Sequence, residues 1–196
     1  MRKTHIGVGS ALSYLKQGKV QRVVFVRPIQ EAGEELGALP GTIEDKMSPH
    51  TEALYELCDK FISRSELEML IKKKSVCMAP IAYMRGKSFD NAFIYADECQ
   101  NATEKQLTMI LSRIGTNSKL IIAGDSEQSD LPRQHADYYR DFVDGFYEEQ
   151  MLESQMDDHL NRVEVCFLDE SDIQRNPIIG SLLKVLRKIK ARRSSL

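Results

Sequence analysis

A chain of 196 residues, 42% of them hydrophobic and 29% charged, is long enough to bury one sizeable core. The formal net charge of −2 gives no overall attraction to nucleic acid or to an acidic membrane surface. The uncharged apolar runs are too short to cross a bilayer, and the first residues lack the apolar core of a signal peptide. The cysteines show no CxxC spacing. Composition therefore predicts one cytoplasmic domain with reduced core thiols and no membrane contact.

The first residues predict a helix that ends near Gly18. Lys3 and Thr4 stand at its start, and in a phosphate-binding loop of the form GxxxxGKT these residue types contact the β/γ-phosphates and Mg²⁺. The glycines of that loop are absent here, because Arg2 stands at the position of the last one. A lysine followed by a threonine arises more often by chance, so these two residues alone decide nothing.

Short apolar runs along the chain predict buried strands, and helical patterns separate several of them. The runs cover residues 20–27, 76–79, 92–98 and 120–123. A continuous apolar run suits a strand that is buried on both faces, as in a parallel sheet. The alternation of strands and helices therefore predicts an α/β fold with a parallel sheet.

Two of these strands end in acidic residues. Asp97 and Glu98 follow one strand, while Asp125 follows another, with Gln128 three residues further on. Open α/β sheets bind ligands at the carboxyl ends of their strands. The Asp97–Glu98 pair resembles a Walker B element, in which the aspartate holds Mg²⁺ and the glutamate orients or deprotonates water. Gln128 could orient water or sense the γ-phosphate, although a strand end with solvated acids is the plainer interpretation of either site alone.

The remaining segments carry weaker signals. Tyr83 and Arg85 could hold a base or a phosphate backbone, but a packed tyrosine and a surface arginine are as common. Residues 33–50 predict a surface loop, rich in glycine, proline and acidic residues.

The last third of the chain predicts three elements. Residues 134–158 combine aromatic and acidic side chains and predict an acidic helical insertion, while residues 161–168 predict a last strand. A basic amphipathic helix is predicted over residues 177–193. Arg175, just before it, could reach a neighbouring phosphate, although most arginines in such places are ordinary surface residues.

Several long strings, in the same order, make the chain resemble the PhoH family of P-loop proteins, in the short form common in bacteria and phages. They are VFVRPI at 24–29, LGALPGTIEDKMSPH at 36–50, APIAYMRGKSFDNAFIYADECQNAT at 79–103, LSRIGTNSKLIIAGD at 111–125 and QRNPII at 174–179. The resemblance runs from about Lys3 to Ile189. It implies a single-domain, three-layer RecA-like core, ATP and Mg²⁺ as cofactors, and a link to RNA metabolism.

The resemblance assigns nucleotide chemistry to particular residues. Nucleotide binding is assigned to Lys3, Thr4, Asp97 and Asp125, with Thr4 and Asp97 as the Mg²⁺ ligands. Catalysis is assigned to Glu98, Gln128 and Arg175.

The chain departs from the family before Lys3, where a glycine-rich loop and the first sheet strand would lie. Backbone N–H groups of that loop carry much of the phosphate binding. We therefore expect a RecA-like fold without its first strand, in a chain with a misplaced start, a gene fragment or a degenerate copy. We also expect residues 1–196 alone to bind ATP only at millimolar levels or not at all, and to show no turnover above background.

Three functions stay open at this point. The first is a Mg²⁺-dependent ATPase linked to RNA metabolism. The second is a pseudo-NTPase that binds RNA or a protein without turnover, and the third is a phosphoesterase or nuclease using Asp97, Glu98 and Asp125. A flavodoxin-like receiver is disfavoured by the helicase-like string after Glu98. The partners expected are ATP, RNA or another single-stranded nucleic acid, and a second copy of the chain.

Overall fold

The computed structural model describes residues 2–28, 52–131, 138–151, 163–168 and 172. Within these residues one sheet contains all the strands, in the order β2-β1-β3-β4, and every pairing is parallel. The strands are β1 (Arg22–Val26), β2 (Val76–Met78), β3 (Ala92–Ala96) and β4 (Lys119–Ile122). The predicted α/β fold with a parallel sheet is confirmed.

Helices connect and cover these strands. They are α1 (Arg2–Lys16), α2 (residues 52–58), α3 (Arg64–Lys72), α4 (Glu104–Leu111) and α5 (Tyr138–Met151). Short 3₁₀ turns follow three of the strands, at Ile81–Met84, Cys99–Asn101 and Ser126–Gln128.

Strand β3 is one of the two central strands of the described sheet. All five of its residues are buried, and it pairs with β1 on one side and with β4 on the other. Its residue Tyr95 lies opposite Phe25 of β1 and Ile121 of β4. An uninterrupted apolar run is what a strand covered on both faces requires.

The two faces of the sheet have separate hydrophobic cores. Phe93 and Tyr95 of β3 face a core to which α1, α2 and α3 contribute. Ile94 and Ala96 face the opposite core, to which α4 and α5 contribute. Helices therefore cover both faces, which gives the three layers expected of the fold.

The helix predicted after Lys3 and Thr4 is confirmed as α1, and it lies very close to the sheet. A Cβ atom on Gly7 would collide with the ring of Tyr95, so only glycine fits at this contact. The chain leaves the helix at Gly18, which has a φ of +68°, a value that glycine adopts without strain. The close approach fixes where the first turn of α1 meets the sheet.

The last third of the chain differs in part from expectation. Helix α5 lies within the range predicted to be an acidic helical insertion, and Tyr139 buries its ring in the core beside the Cys99–Asn101 turn. The strand predicted at 161–168 is wrong for its described part, because residues 163–168 form no strand. The Val165 N–H donates to Gln150 Oε1 of α5 at 2.9 Å, so the segment lies along this helix.

Some predicted features lie outside the described residues: the 33–50 loop, Arg175, the 177–193 helix and the side chain of Tyr83. No described helix is long and apolar enough to cross a bilayer.

The cysteines are free, but one of them is not a core residue. Cys58 and Cys99 are buried, whereas Cys166 is exposed, contrary to the expectation of core thiols throughout. Burial, and secondarily the charge of Asp59, raises the pKa of the Cys58 thiol to about 12. Cys58 therefore stays a neutral, unreactive thiol at physiological pH.

Candidate nucleotide-binding site

The first turn of α1 meets the strand ends through a hydrogen bond between Thr4 and Asp97. Thr4 Oγ1 donates to Asp97 Oδ2 at 2.9 Å, and the Glu98 N–H donates to Asp97 Oδ1 at 3.1 Å. The Asp97 N–H donates to the Val26 carbonyl at 2.9 Å, which extends the pairing with β1 by one bond. Asp97 is only 7% exposed, so its carboxylate is held at the sheet edge with a donor on each oxygen.

Lys3 reaches the end of the neighbouring strand β4. Its Nζ donates to the Gly124 carbonyl at 2.7 Å and lies 3.5 Å from Asp125 Oδ2. Both side chains are about a third exposed, so the ion pair itself stabilises the fold little. A phosphate could replace Asp125 as the partner of this ammonium group at low cost.

Glu98 has an unusual backbone conformation. Its φ of 55° and ψ of 35° lie in the left-handed region, which costs a non-glycine residue about 1–2 kcal/mol. The turn is held by the Cys99 N–H, which donates to the Ala123 carbonyl at 2.9 Å. The side chain of Glu98 lies between Gln100 and Arg27. Gln100 Nε2 donates to Glu98 Oε2 at 2.6 Å, and Arg27 Nη2 lies 4.0 Å from Glu98 Oε1.

Gln100 joins the two acidic strand ends, and no sequence pattern predicted this role. It is only 1% exposed, and its Nε2 donates to Glu98 while its Oε1 accepts from the Asp125 N–H at 2.9 Å. Its own carbonyl accepts from Ser129 Oγ at 3.0 Å. An amide carries both donors and an acceptor, so one side chain can orient Glu98 and fix the β4 turn together.

Asp125 and Gln128, the other two predicted site residues, are held by hydrogen bonds in the turn after β4. Asp125 Oδ1 accepts from the Glu127 N–H at 3.1 Å, which caps the short 3₁₀ turn. Gln128 Nε2 donates to Asp125 Oδ2 at 3.1 Å. Gln128 is exposed and therefore able to turn from Asp125 toward a ligand.

One buried side-chain atom beside this site has no hydrogen-bond partner among the described residues. The Tyr95 hydroxyl is buried and makes no hydrogen bond within the described part of the chain. Burial first, and then the negative charge of Asp97, raise the pKa of Tyr95. The hydroxyl is therefore protonated at neutral pH.

The donor set suits Mg²⁺. Thr4 and Asp97 offer a hydroxyl and a carboxylate, the hard oxygen ligands that Mg²⁺ binds while keeping waters and substrate phosphates. Among the described residues no group of three or more His, Cys, Asp or Glu side chains could hold a metal by itself. The residues present therefore fit a cation that arrives with phosphates.

The structure thus brings the predicted site residues to one sheet edge, apart from Arg175, which lies outside the described residues. Asp97 and Glu98 end β3, Asp125 and Gln128 follow β4, and the first turn of α1 contributes Lys3 and Thr4.

A variant of Gln100 tests how much this amide supports the site. Gln100→Leu keeps the volume but removes the hydrogen-bond partner that the described residues provide for the Asp125 N–H and for Glu98 Oε2. We expect a loss of about 1–3 kcal/mol in the free energy of unfolding, measured by urea denaturation. Gln17→Leu, at an exposed position on the turn after α1, is the matched control and should change stability by less than about 0.5 kcal/mol. Equal stability of both variants would show that the Gln100 hydrogen bonds add nothing to the fold.

A lysine and a threonine at the start of a helix, facing carboxylates at the ends of parallel strands, form the arrangement of P-loop nucleoside triphosphatases. Comparison with known proteins agrees with that class. The sequence matches the family described as PhoH-like protein over residues 2–187. The chain belongs to the PhoH-like family, a family of P-loop NTPases.

Two of the proteins that the chain resembles have PhoH in their names. The PhoH-like protein of Bacillus subtilis (strain 168) is 33% identical over 186 residues, which are 95% of this chain and 55% of the relative. Protein PhoH of Escherichia coli (strain K12) is 36% identical over 152 residues, covering 76% of this chain and 43% of that protein. The chain therefore spans about half the length of the curated relatives it matches.

Proposed function

We propose that this sheet edge binds ATP with Mg²⁺ and supports its hydrolysis when a glycine-rich loop precedes Lys3, in a role linked to RNA. The observation that carries the proposal is the Thr4–Asp97 hydrogen bond of 2.9 Å. It joins a residue of the Walker A type to one of the Walker B type across 93 positions of sequence. A threonine and an aspartate placed in this way can hold the same cation.

Different side chains have different proposed roles in nucleotide binding and hydrolysis. Lys3 binds the β/γ-phosphates in place of Asp125, and Thr4 and Asp97 hold Mg²⁺, which when bound neutralises developing charge on the phosphates. Glu98, oriented by Gln100, accepts the proton of the attacking water.

The remaining assigned residues lie toward the γ-phosphate. Asp125 and Gln128 sense it or orient water from the turn after β4. Arg175 keeps its proposed role as an arginine near the nucleotide. For a nucleic-acid partner, the support is the family resemblance together with the exposed side chain of Arg85.

A nuclease that uses the three carboxylates together is less well supported. Each carboxylate has a different partner: Thr4 for Asp97, Gln100 for Glu98 and Lys3 for Asp125. A metal site of the two-cation type needs such carboxylates to converge on shared ions. Incubation with RNA in the presence of Mg²⁺ but without ATP tests this alternative, and ATP-independent cleavage would favour it.

Calorimetric titration with MgATP and phosphate release test the proposal itself. They are carried out on residues 1–196 and on the same chain preceded by a strand and a glycine-rich loop of the GxxxxGKT type. We expect the extended chain to bind and hydrolyse ATP, because backbone N–H groups then surround the phosphates.

Lys3 is the residue that this titration examines most directly. Lys3→Ala in the extended chain is expected to weaken binding by about tenfold or more, since it removes charge-assisted hydrogen bonds. Lys16→Ala, an exposed lysine at the end of the same helix, is the control and should bind as the parent does. Equal binding by both variants would contradict the assignment of Lys3, and binding without hydrolysis in the parent would favour the pseudo-NTPase.

A further inference from the structure

Tyr95 lies beside the proposed cation site on the same face of the sheet. It stands two residues before Asp97, and side chains at i and i+2 of a strand point the same way. Its ring lies in the core under α1, the helix that carries Thr4. Tyr95 therefore belongs to the core directly beneath Thr4 and Asp97, the two residues proposed to hold the cation.

The ring of Tyr95 is fixed in place. It fills the space that a side chain on Gly7 would need, so the helix backbone lies directly against it. Phe25 of the neighbouring strand packs edge-on, with ring centroids 6.2 Å apart at 81°. Tyr95 is only 1% exposed, so its hydroxyl cannot turn out to water.

The Tyr95 hydroxyl lowers the stability of the metal-free fold. It makes no hydrogen bond with any described residue, and a buried unpaired hydroxyl destabilises a protein. A phenylalanine would fill the same space without this cost. Because Tyr95 and Asp97 are two residues apart on one face of the strand, the hydroxyl lies on the side of the sheet where Thr4 bonds to Asp97.

We propose that Tyr95 is a positioning residue for the divalent-cation site, its hydroxyl donating to the Asp97 carboxylate when a cation is bound there by Asp97 and Thr4. The inference rests on the proposed function, because it needs a cation at this pair. Asp97 has one donor on each oxygen, and a carboxylate can accept more. A donor on β3 itself would hold the carboxylate in one orientation toward the cation, as outer hydrogen bonds commonly do at metal sites.

The test compares Tyr95→Phe with Tyr14→Phe in the chain extended by the strand and glycine-rich loop, with Mn²⁺ and ATP added together and Mn²⁺ binding followed by electron paramagnetic resonance. Tyr14 is a matched control, since its ring packs edge-on against Phe93 of the same strand at 5.3 Å while its side chain is half-buried. We expect Tyr95→Phe to weaken Mn²⁺ binding about tenfold, the effect of losing a hydrogen bond to a charged group. Tyr14→Phe should bind Mn²⁺ as the parent does.

The melting temperature without metal separates this role from a structural one. Tyr95→Phe is expected to melt at the same temperature as the parent or higher, because it removes an unpaired hydroxyl. A lower melting temperature would show that the hydroxyl already stabilises the metal-free fold, and would overturn the proposal.

The binding data separate failure of this proposal from failure of the proposed function. Equal Mn²⁺ binding by the parent and Tyr95→Phe overturns the role of Tyr95 but leaves the cation site in place. No Mn²⁺ binding by the parent, or parent binding that Asp97→Ala does not weaken, overturns the proposed cation site and this inference with it.

Discussion

Asp97→Ala is expected to abolish Mg²⁺-dependent ATP turnover while leaving the chain folded. The substitution removes the carboxylate proposed to hold the cation and the acceptor of the Thr4 hydroxyl. A bound cation contributes several kcal/mol of charge stabilisation, so the rate should fall by at least about a thousandfold. The lost hydrogen bonds cost about 1–3 kcal/mol, less than the typical stability of a domain.

Phosphate release by the extended chain, with the glycine-rich loop in front of Lys3, measures this effect. Asp130→Ala is the matched control, because Asp130 is an exposed aspartate that accepts a hydrogen bond from Asn101, in the turn after β3. Circular dichroism shows whether both variants are folded. Unchanged turnover in a folded Asp97→Ala variant would remove the Walker B assignment.

Glu98→Gln is expected to retain ATP and lose turnover. The amide has the size of the carboxylate and its oxygen can still accept from Gln100 Nε2, so the turn after β3 should keep its shape. It cannot accept the proton of the attacking water, and loss of a general base lowers rates by about a hundredfold to ten-thousandfold. The two adjacent acids would then differ in role, Asp97 in cation binding and Glu98 in chemistry.

Equilibrium binding and single-turnover hydrolysis, measured on the same preparation, separate the two effects. Glu127→Gln, an exposed glutamate in the turn after β4, serves as the control and should change neither quantity. Weaker binding with an unchanged chemical rate in Glu98→Gln would show that this division of roles is wrong.

Sequence alone predicted the sheet well because its strands are buried on both faces. A run such as Ala92–Ala96 is apolar at every position, so it is recognisable in the sequence as a buried strand. The acids directly after it mark the strand end. The segment at 161–168 shows the limit of this reasoning. Its apolar residues look like a strand, but no sequence pattern states that a neighbouring strand will accept its backbone bonds. In the described part of that segment α5 supplies the contact instead.

The acidic residues at the strand ends could be predicted as site residues from the sequence. The contacts between side chains that are distant in sequence were harder to predict. Parallel strands place Asp97 and Asp125 at one edge by topology. The contacts of Lys3 and Thr4 with these ends followed only from the family resemblance, since nothing in a lysine and a threonine near a terminus predicts them. Gln100 and Tyr95 gave no signal, because the importance of each depends on burial and on partners that are distant in sequence.

The parallel sheet also has a consequence for how the chain reaches its native state. Val24 of β1 pairs with Cys77 of β2 and with Ile94 of β3, so both partners of this central strand are distant in sequence. Long loops must close before any of these ladders gains a hydrogen bond, and such topologies fold slowly. Until then β1 and β3 present largely apolar, β-prone segments to other chains. Slow synthesis or refolding from dilute solution should therefore raise the yield of native chain over aggregate.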